Sequence, residues 1–315
     1  MSQENMVEVS KKGKARIHPI IVYPYTQSKD YSDLKALYNN LVRPLSEDNK
    51  NYARPITVMN RQTYYNNARY KFDDKWNKKF ESFITDYVRK YSDLLDSWSV
   101  DSCQMWLDGF GKAFDETTNG EDVYWIIPGD FNYSTSEGKE VISELRKLPD
   151  AVMNHEQDLC IGEIEVDINS SKQLIDTYGT YGLLYNWFPY EAQEIRKITS
   201  KPRSEFFAIR HSFLREVLRQ RWYAYEQTIV ILLHGIVGKK RIHTVELTNI
   251  TDLPQGRDTL SAAMQQVERT ERALKLFWRE KNERDGDWPD IFRKLDSQSE
   301  QIRGSALVIL ENLLR

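Results

Sequence analysis

The segment DVYWIIPGDFNYST, residues 122–135, decides the predicted fold. Its apolar run, residues 123–127, consists of β-branched and aromatic side chains and ends at Pro128 and Gly129. Such a run is typical of a strand buried on both faces of a parallel sheet. Asp130 follows directly. Ligands of open α/β sheets bind at the carboxyl ends of the strands, so this aspartate can hold a divalent cation there. An aspartate after Pro-Gly is also common in plain turns, and the segment alone leaves both interpretations open.

The composition is typical of a soluble globular protein. The 315 residues are 40% hydrophobic and 29% charged, with a net charge of -3, which argues against a nucleic-acid binder because counterion release needs clustered Lys and Arg. Two distant cysteines, Cys103 and Cys160, argue against a disulfide framework or a zinc knuckle. The first 16 residues lack the apolar core of a secretory signal, and no run reaches the roughly 18 apolar residues of a membrane span. We therefore expect a cytoplasmic protein without a transmembrane segment.

Strand and helix patterns alternate over the first 150 residues, which predicts an α/β fold with a mostly parallel sheet flanked by helices. Predicted strands cover residues 17–23, 56–59, 123–127, 159–168, 206–209 and 242–247. Predicted helices cover residues 30–45, 71–98, 104–116, 136–148, 191–198, 212–218 and 225–234.

The two ends of the chain differ from this alternating part. Residues 1–15 are polar and predict a disordered lead-in. Residues 256–315 are charged and helical in pattern, which predicts a helical C-terminal extension. The apolar side of this extension, with Leu274, Phe277 and Trp278, is a candidate surface for a homodimer.

The common nucleotide and hydrolase signatures are absent from the sequence: it has no P-loop, no G-x-G-x-x-G after a strand, no H-E-x-x-H and no G-x-S-x-G. Two other segments suit a nucleotide. Pro24, Tyr25 and Thr26 end the first strand, where an α/β sheet receives a base or a phosphate. In DGFGK, residues 108–112, Asp108 can accept hydrogen bonds from a base or a ribose, and Lys112 can offset diphosphate charge. Gly109 allows either close approach to a ligand or close helix packing.

The order of these segments resembles the GT-A glycosyltransferases, and in particular the mannosylglycerate synthase family. IIVYPYTQSKDYSDLKALYNNL, residues 20–41, resembles a first strand that ends in a Pro-aromatic pair. Asp108-Gly109 looks like the family's Gly-Asp-Gly element, and WIIPGDFNY, residues 125–133, resembles the strand that bears the Asp-x-Asp motif. The segments 168–189, 201–217 and 221–247 continue in the family's order, so the resemblance covers about residues 17–255. It implies that residues 16–255 form a GT-A-like, nucleotide-sugar-binding catalytic domain.

The resemblance also implies an activity, the transfer of a sugar from a nucleotide-diphosphate donor to a hydroxyl acceptor. It gives Asp130 a catalytic and metal-binding role with Mn²⁺ or Mg²⁺, and Pro24, Tyr25, Thr26, Asp108, Gly109 and Lys112 roles in nucleotide binding. Substrate contacts are expected from Arg203, Glu205, Arg221 and Trp222, with Glu205 facing the donor sugar. Glu226 would act as the general base in inverting chemistry or hold acceptor hydroxyls in retaining chemistry.

Departures from the family pattern keep alternatives open. Pro128 stands where the first acid of Asp-x-Asp is expected, and the family's histidine after the last strand is not matched, since His243 lies within that strand and Asn249 and Asp252 follow it. A catalytically silent protein that binds a nucleotide sugar or a partner, or a sugar nucleotidyltransferase, therefore remains an alternative. Arg203 suits an anionic group or a salt bridge, and Glu226 suits catalysis or the start of a helix.

Overall fold

The structure is a computed structural model of the 315-residue chain. It describes residues 14–23, 32–59, 74–97, 102–117, 119–129, 131–133, 138–164, 171–218, 227–248, 250–252, 260–283 and 286–313.

Seven of the strands form one sheet. The strands are β1 Ile17–Tyr23, β2 Ile56–Met59, β3 Asp93–Asp96, β4 Val123–Pro128, β5 Phe131–Asn132, β6 Leu159–Ile164, β7 Phe207–Arg210, β8 Ile242–Leu247 and β9 Thr251–Asp252. The order in the large sheet is β3-β2-β1-β4-β7-β6-β8. Among the strands of this sheet that the structure describes, only β7 runs antiparallel to its neighbours, so the carboxyl ends of the other six strands meet at one edge. The predicted mostly parallel sheet is confirmed.

Helices cover both faces of the sheet. The α-helices are α1 Ser32–Leu37, α2 Arg43–Glu47, α3 Asp74–Phe83, α4 Arg89–Tyr91, α5 Ser102–Asp115, α6 Gly138–Asn154, α7 Ser171–Leu174, α8 Tyr181–Trp187, α9 Pro189–Ile198, α10 His211–Leu218, α11 Gln227–Val237, α12 Leu260–Asn282 and α13 Trp288–Leu313. In the described part of the chain, three π-helical segments interrupt them: π1 Tyr38–Val42, π2 Ile84–Val88 and π3 Ile175–Thr180.

The central strand β4 is buried on both faces, as its apolar run predicts. Tyr124 and Ile126 belong to a core formed with α5 and the helices from α7 onward. Val123, Trp125 and Ile127 belong to a second core, formed with α1 to α3 and α6. All six β4 residues are buried, which explains why the strand has no polar alternation.

The predicted single helix over residues 71–98 is wrong at its end. The described helical residues stop at Tyr91, and Asp93–Asp96 form β3, which pairs in parallel with β2. Leu94 and Leu95 continue the apolar stripe of the helix in sequence, but the pairing with β2 overrides that periodicity. Such pairing is a non-local contact, which spacing along the chain does not reveal.

Helix α6 also differs from its prediction. It continues through Pro149 to Asn154 instead of ending at Leu148. Leu148, Ala151 and Val152 are buried against the sheet, and this burial outweighs the cost of a proline inside a helix.

The C-terminal helices share their core with the rest of the chain. Leu274 and Phe277 of α12 are fully buried, and the Phe277 ring lies 5.4 Å from that of Phe188. The rings of Trp278 and Trp187 lie 5.9 Å apart. The prediction that Leu274, Phe277 and Trp278 form a dimer surface is therefore wrong, because these side chains face their own chain.

A glycine lets helix α12 approach π3 closely. A Cβ atom on Gly179 would lie 2.6 Å from Cγ2 of Val267, well inside van der Waals contact.

Among the described residues, no helix is long and apolar enough to cross a membrane.

Candidate functional site

The carboxyl edge of the large sheet gathers the predicted site segments. Val22 pairs with Pro128, and the Gly129 N–H donates to the Val22 carbonyl at 2.7 Å. The turn after β4 therefore lies in the middle of this edge, between β1 and β7. This is the position at which open α/β sheets bind ligands.

A short antiparallel pair of strands follows β4 in the sequence. In β5 and β9, Phe131 lies opposite Asp252 and Asn132 opposite Thr251. Asp252 is thus placed beside the residue that follows Asp130 in the sequence. The sequence showed Asp252 only as a residue after the last long strand, since a two-residue strand is too short to be predicted from periodicity.

Two aromatic side chains that follow β4 contact the neighbouring strand ends. The Tyr133 hydroxyl donates to the Pro128 carbonyl at 2.5 Å, and Tyr133 is buried. The Phe131 ring lies 4.7 Å from that of Phe206, directly before β7. The residues that follow β4 are therefore packed against the end of β4 and the start of β7.

Asp108 lies near the end of β3. Its carboxylate accepts a hydrogen bond from the Ser97 hydroxyl at 2.6 Å and another from the Gln104 amide at 3.2 Å. Ser97 directly follows β3, so Asp108 is close to the carboxyl edge. Its predicted contact with a nucleotide stays a prediction.

Gly109 packs helix α5 onto the sheet. A Cβ atom at this position would lie 2.6 Å from Cγ2 of Ile20 and 3.2 Å from Cγ2 of Val58. Of the two roles that the sequence allows, the geometry supports close packing of the helix.

Lys112 has a partner within its own helix. Its ammonium lies 3.0 Å from the Glu116 carboxylate, and the hydrogen bond and charge of Glu116 raise the pKa of Lys112. Lys112 is also one helical turn further from the carboxyl edge than Asp108, about 6 Å along the axis. Its predicted role beside a diphosphate stays a prediction, and the structure brings it closer to Glu116 than to the edge.

Glu205 and Arg203 lie at the start of β7. Phe207 pairs with Ile126 of β4 and with Ile161 of β6, so the amino end of β7 is at the carboxyl edge of its neighbours. Glu205 is half-buried there. The Arg203 guanidinium lies 2.6 Å from the Asp176 carboxylate and forms an ion pair that is about nine-tenths buried, which makes it an internal pair rather than a surface salt bridge.

Seven predicted site residues lie outside the described residues: Pro24, Tyr25, Thr26, Asp130, Arg221, Trp222 and Glu226. Their assigned roles stay predictions. Within the described part of the chain, no group of three or more His, Cys, Asp or Glu side chains is arranged to hold a metal ion.

His234 is half-buried and packs against an aromatic residue of the core. Its ring meets the Phe277 ring edge-on with centroids 4.8 Å apart. Burial, with a smaller effect of the Lys281 charge, lowers the pKa of His234 to about 4. The imidazole is therefore neutral at physiological pH.

The sheet order and the flanking helices define a GT-A-like fold. No family model and no curated protein matches the sequence. Among solved structures, the chain is similar to glucosyl-3-phosphoglycerate synthase from Mycobacterium tuberculosis in complex with phosphoglyceric acid, with a TM-score of 0.53, 11% identity, and coverage of 82% of this chain and 80% of that one.

A second structure of the same enzyme, with Mn²⁺, UDP and glucosyl-3-phosphoglycerate, gives a TM-score of 0.51, 10% identity, and coverage of 82% and 80%. At this identity the likeness establishes the fold, and the GT-A-like fold predicted from the order of segments is confirmed.

Proposed function

We propose that the protein is a glycosyltransferase that moves a sugar from a nucleotide-diphosphate donor to a hydroxyl acceptor. The observation that carries the proposal is the pairing of β5 with β9, in which Asp252 lies opposite Phe131, the residue that follows Asp130 in the sequence. The structurally similar synthase has been solved with Mn²⁺ and UDP-glucose, and also with phosphoglyceric acid. That likeness supports the same class of donor for this chain.

A divalent cation, Mn²⁺ or Mg²⁺, fits the residues that the proposal brings together. Asp130 and Asp252 supply carboxylate oxygens, which these hard cations prefer, and one or two carboxylates plus a diphosphate make a usual magnesium site. When bound, the cation would neutralise the charge that develops on the diphosphate leaving group. Pro128 removes one carboxylate from the expected motif, and Asp252 is the residue we propose in compensation.

The chain's own residues would bind and orient the substrates around this edge. Glu205, beside the end of β4, would contact the donor sugar, and Asp108 the nucleotide. We propose that Glu226 takes a proton from the acceptor hydroxyl or holds acceptor hydroxyls, with Arg221 and Trp222 beside it. Holding donor and acceptor in a reactive arrangement accounts for much of the rate gain that such a site can provide.

A panel of nucleotide sugars tests the proposal. Release of UDP, GDP or ADP would be measured with and without Mn²⁺ for the wild type, Asp130→Ala, Asp252→Asn and the control Asp115→Asn, which changes an exposed residue at the far end of α5. We expect turnover to fall about 100-fold or more for Asp130→Ala, at least about 10-fold for Asp252→Asn, and not for the control.

A catalytically silent binding protein is the second candidate, and Pro128 in the acidic turn favours it. Thermal shift with UDP, GDP and ADP separates the two, because a ligand that binds the folded state raises its stability. Mn²⁺-dependent stabilisation without turnover of any donor would support the silent protein. No turnover, together with nucleotide stabilisation that Asp130→Ala leaves unchanged, would sink the transferase.

Two further properties belong to this proposal. A cytoplasmic location is supported by the sparse cysteines, of which Cys160 is buried and unpaired.

A homodimer through the C-terminal helices is supported by the exposed apolar side chains Leu276, Ile291 and Val308. Light scattering of the wild type and of a variant with Ile291→Glu and Val308→Glu would show whether a dimer forms and whether this surface forms it.

A further inference from the structure

The loop between α9 and β7, residues 199–206, is held by polar contacts to several elements. Its first half is fixed by Glu163 near the end of β6. The Glu163 carboxylate accepts hydrogen bonds from the Ser200 N–H at 2.8 Å and from the Thr199 hydroxyl. The Tyr181 hydroxyl donates to the Thr199 carbonyl. These contacts hold the loop where it leaves α9.

The second half of the loop, which contains Glu205, is fixed separately. The Ser204 hydroxyl donates to the Gly162 carbonyl at 2.5 Å and accepts from the Phe206 N–H at 3.2 Å. The Thr228 hydroxyl of α11 donates to the Ser204 carbonyl at 2.7 Å. Both neighbours of Glu205 are therefore anchored.

Arg203 connects this second half to two further elements. Its Nε donates to Asp176 of π3 at 2.6 Å, and its Nη1 donates to the Gln266 amide oxygen of α12 at 2.5 Å. The Arg203 and Asp176 side chains are 10% and 9% exposed. A buried guanidinium fork with two acceptors in fixed directions restrains its own backbone strongly.

We propose that Arg203, held by Asp176 and Gln266, is a positioning residue that fixes Glu205 at the carboxyl edge of the sheet. The C-terminal helix α12 then completes the site through Gln266. This inference rests on the proposed function for the donor-sugar contact of Glu205. It gives Arg203 a different role from the anion binding predicted from sequence, because the Asp176 carboxylate offsets the guanidinium charge.

The positioning itself can be measured without turnover, by hydrogen exchange of the loop amides in the variant Arg203→Met. The Ser204 and Phe206 amides are hydrogen-bonded in the second half of the loop, and we expect them to exchange about 10-fold faster or more. The Ser200 amide is held by Glu163 and should keep its wild-type rate.

The matched control is Arg303→Met. Arg303 of α13 pairs with the buried Glu271 of α12 at 2.9 Å, so this variant also removes an arginine that ties down α12. It should leave Ser204 and Phe206 unchanged. Unchanged exchange of these two amides in Arg203→Met, or an equal increase in the control, would overturn the proposal.

Kinetics then show whether Arg203 acts through Glu205. We expect Arg203→Met to lower kcat about 10- to 100-fold with little change in the KM of the donor, because a displacement of about 1 Å can have such an effect. The double variant Arg203→Met/Glu205→Gln should be no slower than Glu205→Gln alone. Fully multiplicative losses would contradict the proposal.

Milder variants keep the test decisive if Arg203→Met does not fold. Asp176→Asn removes the charge of one acceptor, Gln266→Ala removes the other acceptor, and Arg203→Lys keeps the charge but not the fork. All three should give the same pattern more weakly. Absence of turnover with every donor in the wild type would refute the proposed function, whereas the exchange of Ser204 and Phe206 would still decide the positioning.

Discussion

At the scale of single residues, the structure separates side chains that shape the fold from those available for chemistry. Gly109 and Asp108 are neighbours in sequence, yet Gly109 packs against Ile20 while Asp108 lies at the carboxyl edge with Ser97. Lys112, in the same helix, is paired with Glu116. The residues of the DGFGK motif therefore have different roles on different faces of one helix, because residues three or four apart share a face and adjacent ones do not.

We expect substitutions of two glycines in α5 to change the stability in opposite directions. Gly109→Ala should destabilise the protein by about 1–2 kcal/mol, because its Cβ would be forced against Ile20. Gly111→Ala should stabilise it by about 0.5–1 kcal/mol, because nothing lies within 4 Å of that position and alanine favours the helix. Urea unfolding of both variants checks the pair; equal effects would refute the packing role of Gly109.

His234 predicts a pH dependence of stability. Its pKa in the folded state is about 4, below the ordinary value of about 6.5. Between these values the unfolded chain binds a proton that the folded chain does not, so stability present above pH 6.5 is lost as the pH falls toward 4.

When the pH is lowered from 7 to 5, we expect the Tm of His234→Leu to fall by about 2–4 °C less than the Tm of the wild type. The exposed His155→Gln should behave as the wild type. Thermal unfolding at several pH values measures the difference, and parallel curves for His234→Leu and the wild type would rule out this contribution. Burial also lowers the pKa of His211 to about 4. The Tm of every variant should therefore still fall to some extent as the pH falls.

At the scale of elements, short strands and close helix contacts build the edge. The strands β5 and β9 have two residues each, and β3 has four, yet they place Asp252 and Ser97 at the carboxyl edge. On one face of the sheet, Gly179 of π3 receives Val267 of α12. These contacts join segments that are far apart in sequence, and each depends on small residues or backbone pairing.

The contact between π3 and α12 predicts a coupled pair of substitutions. Gly179→Ala should destabilise the protein by about 1–3 kcal/mol, because its Cβ would overlap Cγ2 of Val267. Adding Val267→Ala should remove the overlap, so the double variant should be more stable than the sum of the two single changes predicts. Additive free energies of unfolding in this double-mutant cycle would show that the two positions do not interact.

At the scale of the whole molecule, the C-terminal helices belong to the main core. Leu274, Phe277 and Leu310 are buried in the same cluster as Trp187 and Ile195. Burying one aliphatic or aromatic side chain contributes about 1.5–3 kcal/mol to stability, and several such residues are buried here. The helical extension is therefore part of what holds the helices on this face of the sheet.

Truncation tests this dependence. A chain ending at residue 255 should lose cooperative unfolding and expose apolar surface, because Trp187 and Phe188 would lose Trp278 and Phe277. Calorimetry and dye binding measure both effects. A truncated chain with a sharp, reversible transition would show that residues 16–255 are stable alone, as the domain division predicted from sequence implies.

By itself, the sequence determined the parts of this protein that depend on local burial and on order along the chain. The uniform apolar run of β4 predicted a strand buried on both faces. The succession of strand ends, the Asp108 helix and the segment with Asp130 resembled the GT-A glycosyltransferases, and that resemblance implied the fold. The strand prediction holds because burial on both faces leaves an uninterrupted apolar run in the residues themselves.

Only the tertiary structure decided which distant segments meet. It placed Asp252 opposite Phe131, turned Leu94 and Leu95 into a strand, buried Leu274 and Phe277, and joined Arg203 to Asp176 and Gln266. No period in the chain encodes these contacts, because they depend on packing between elements whose separation in sequence bears no relation to their distance in space.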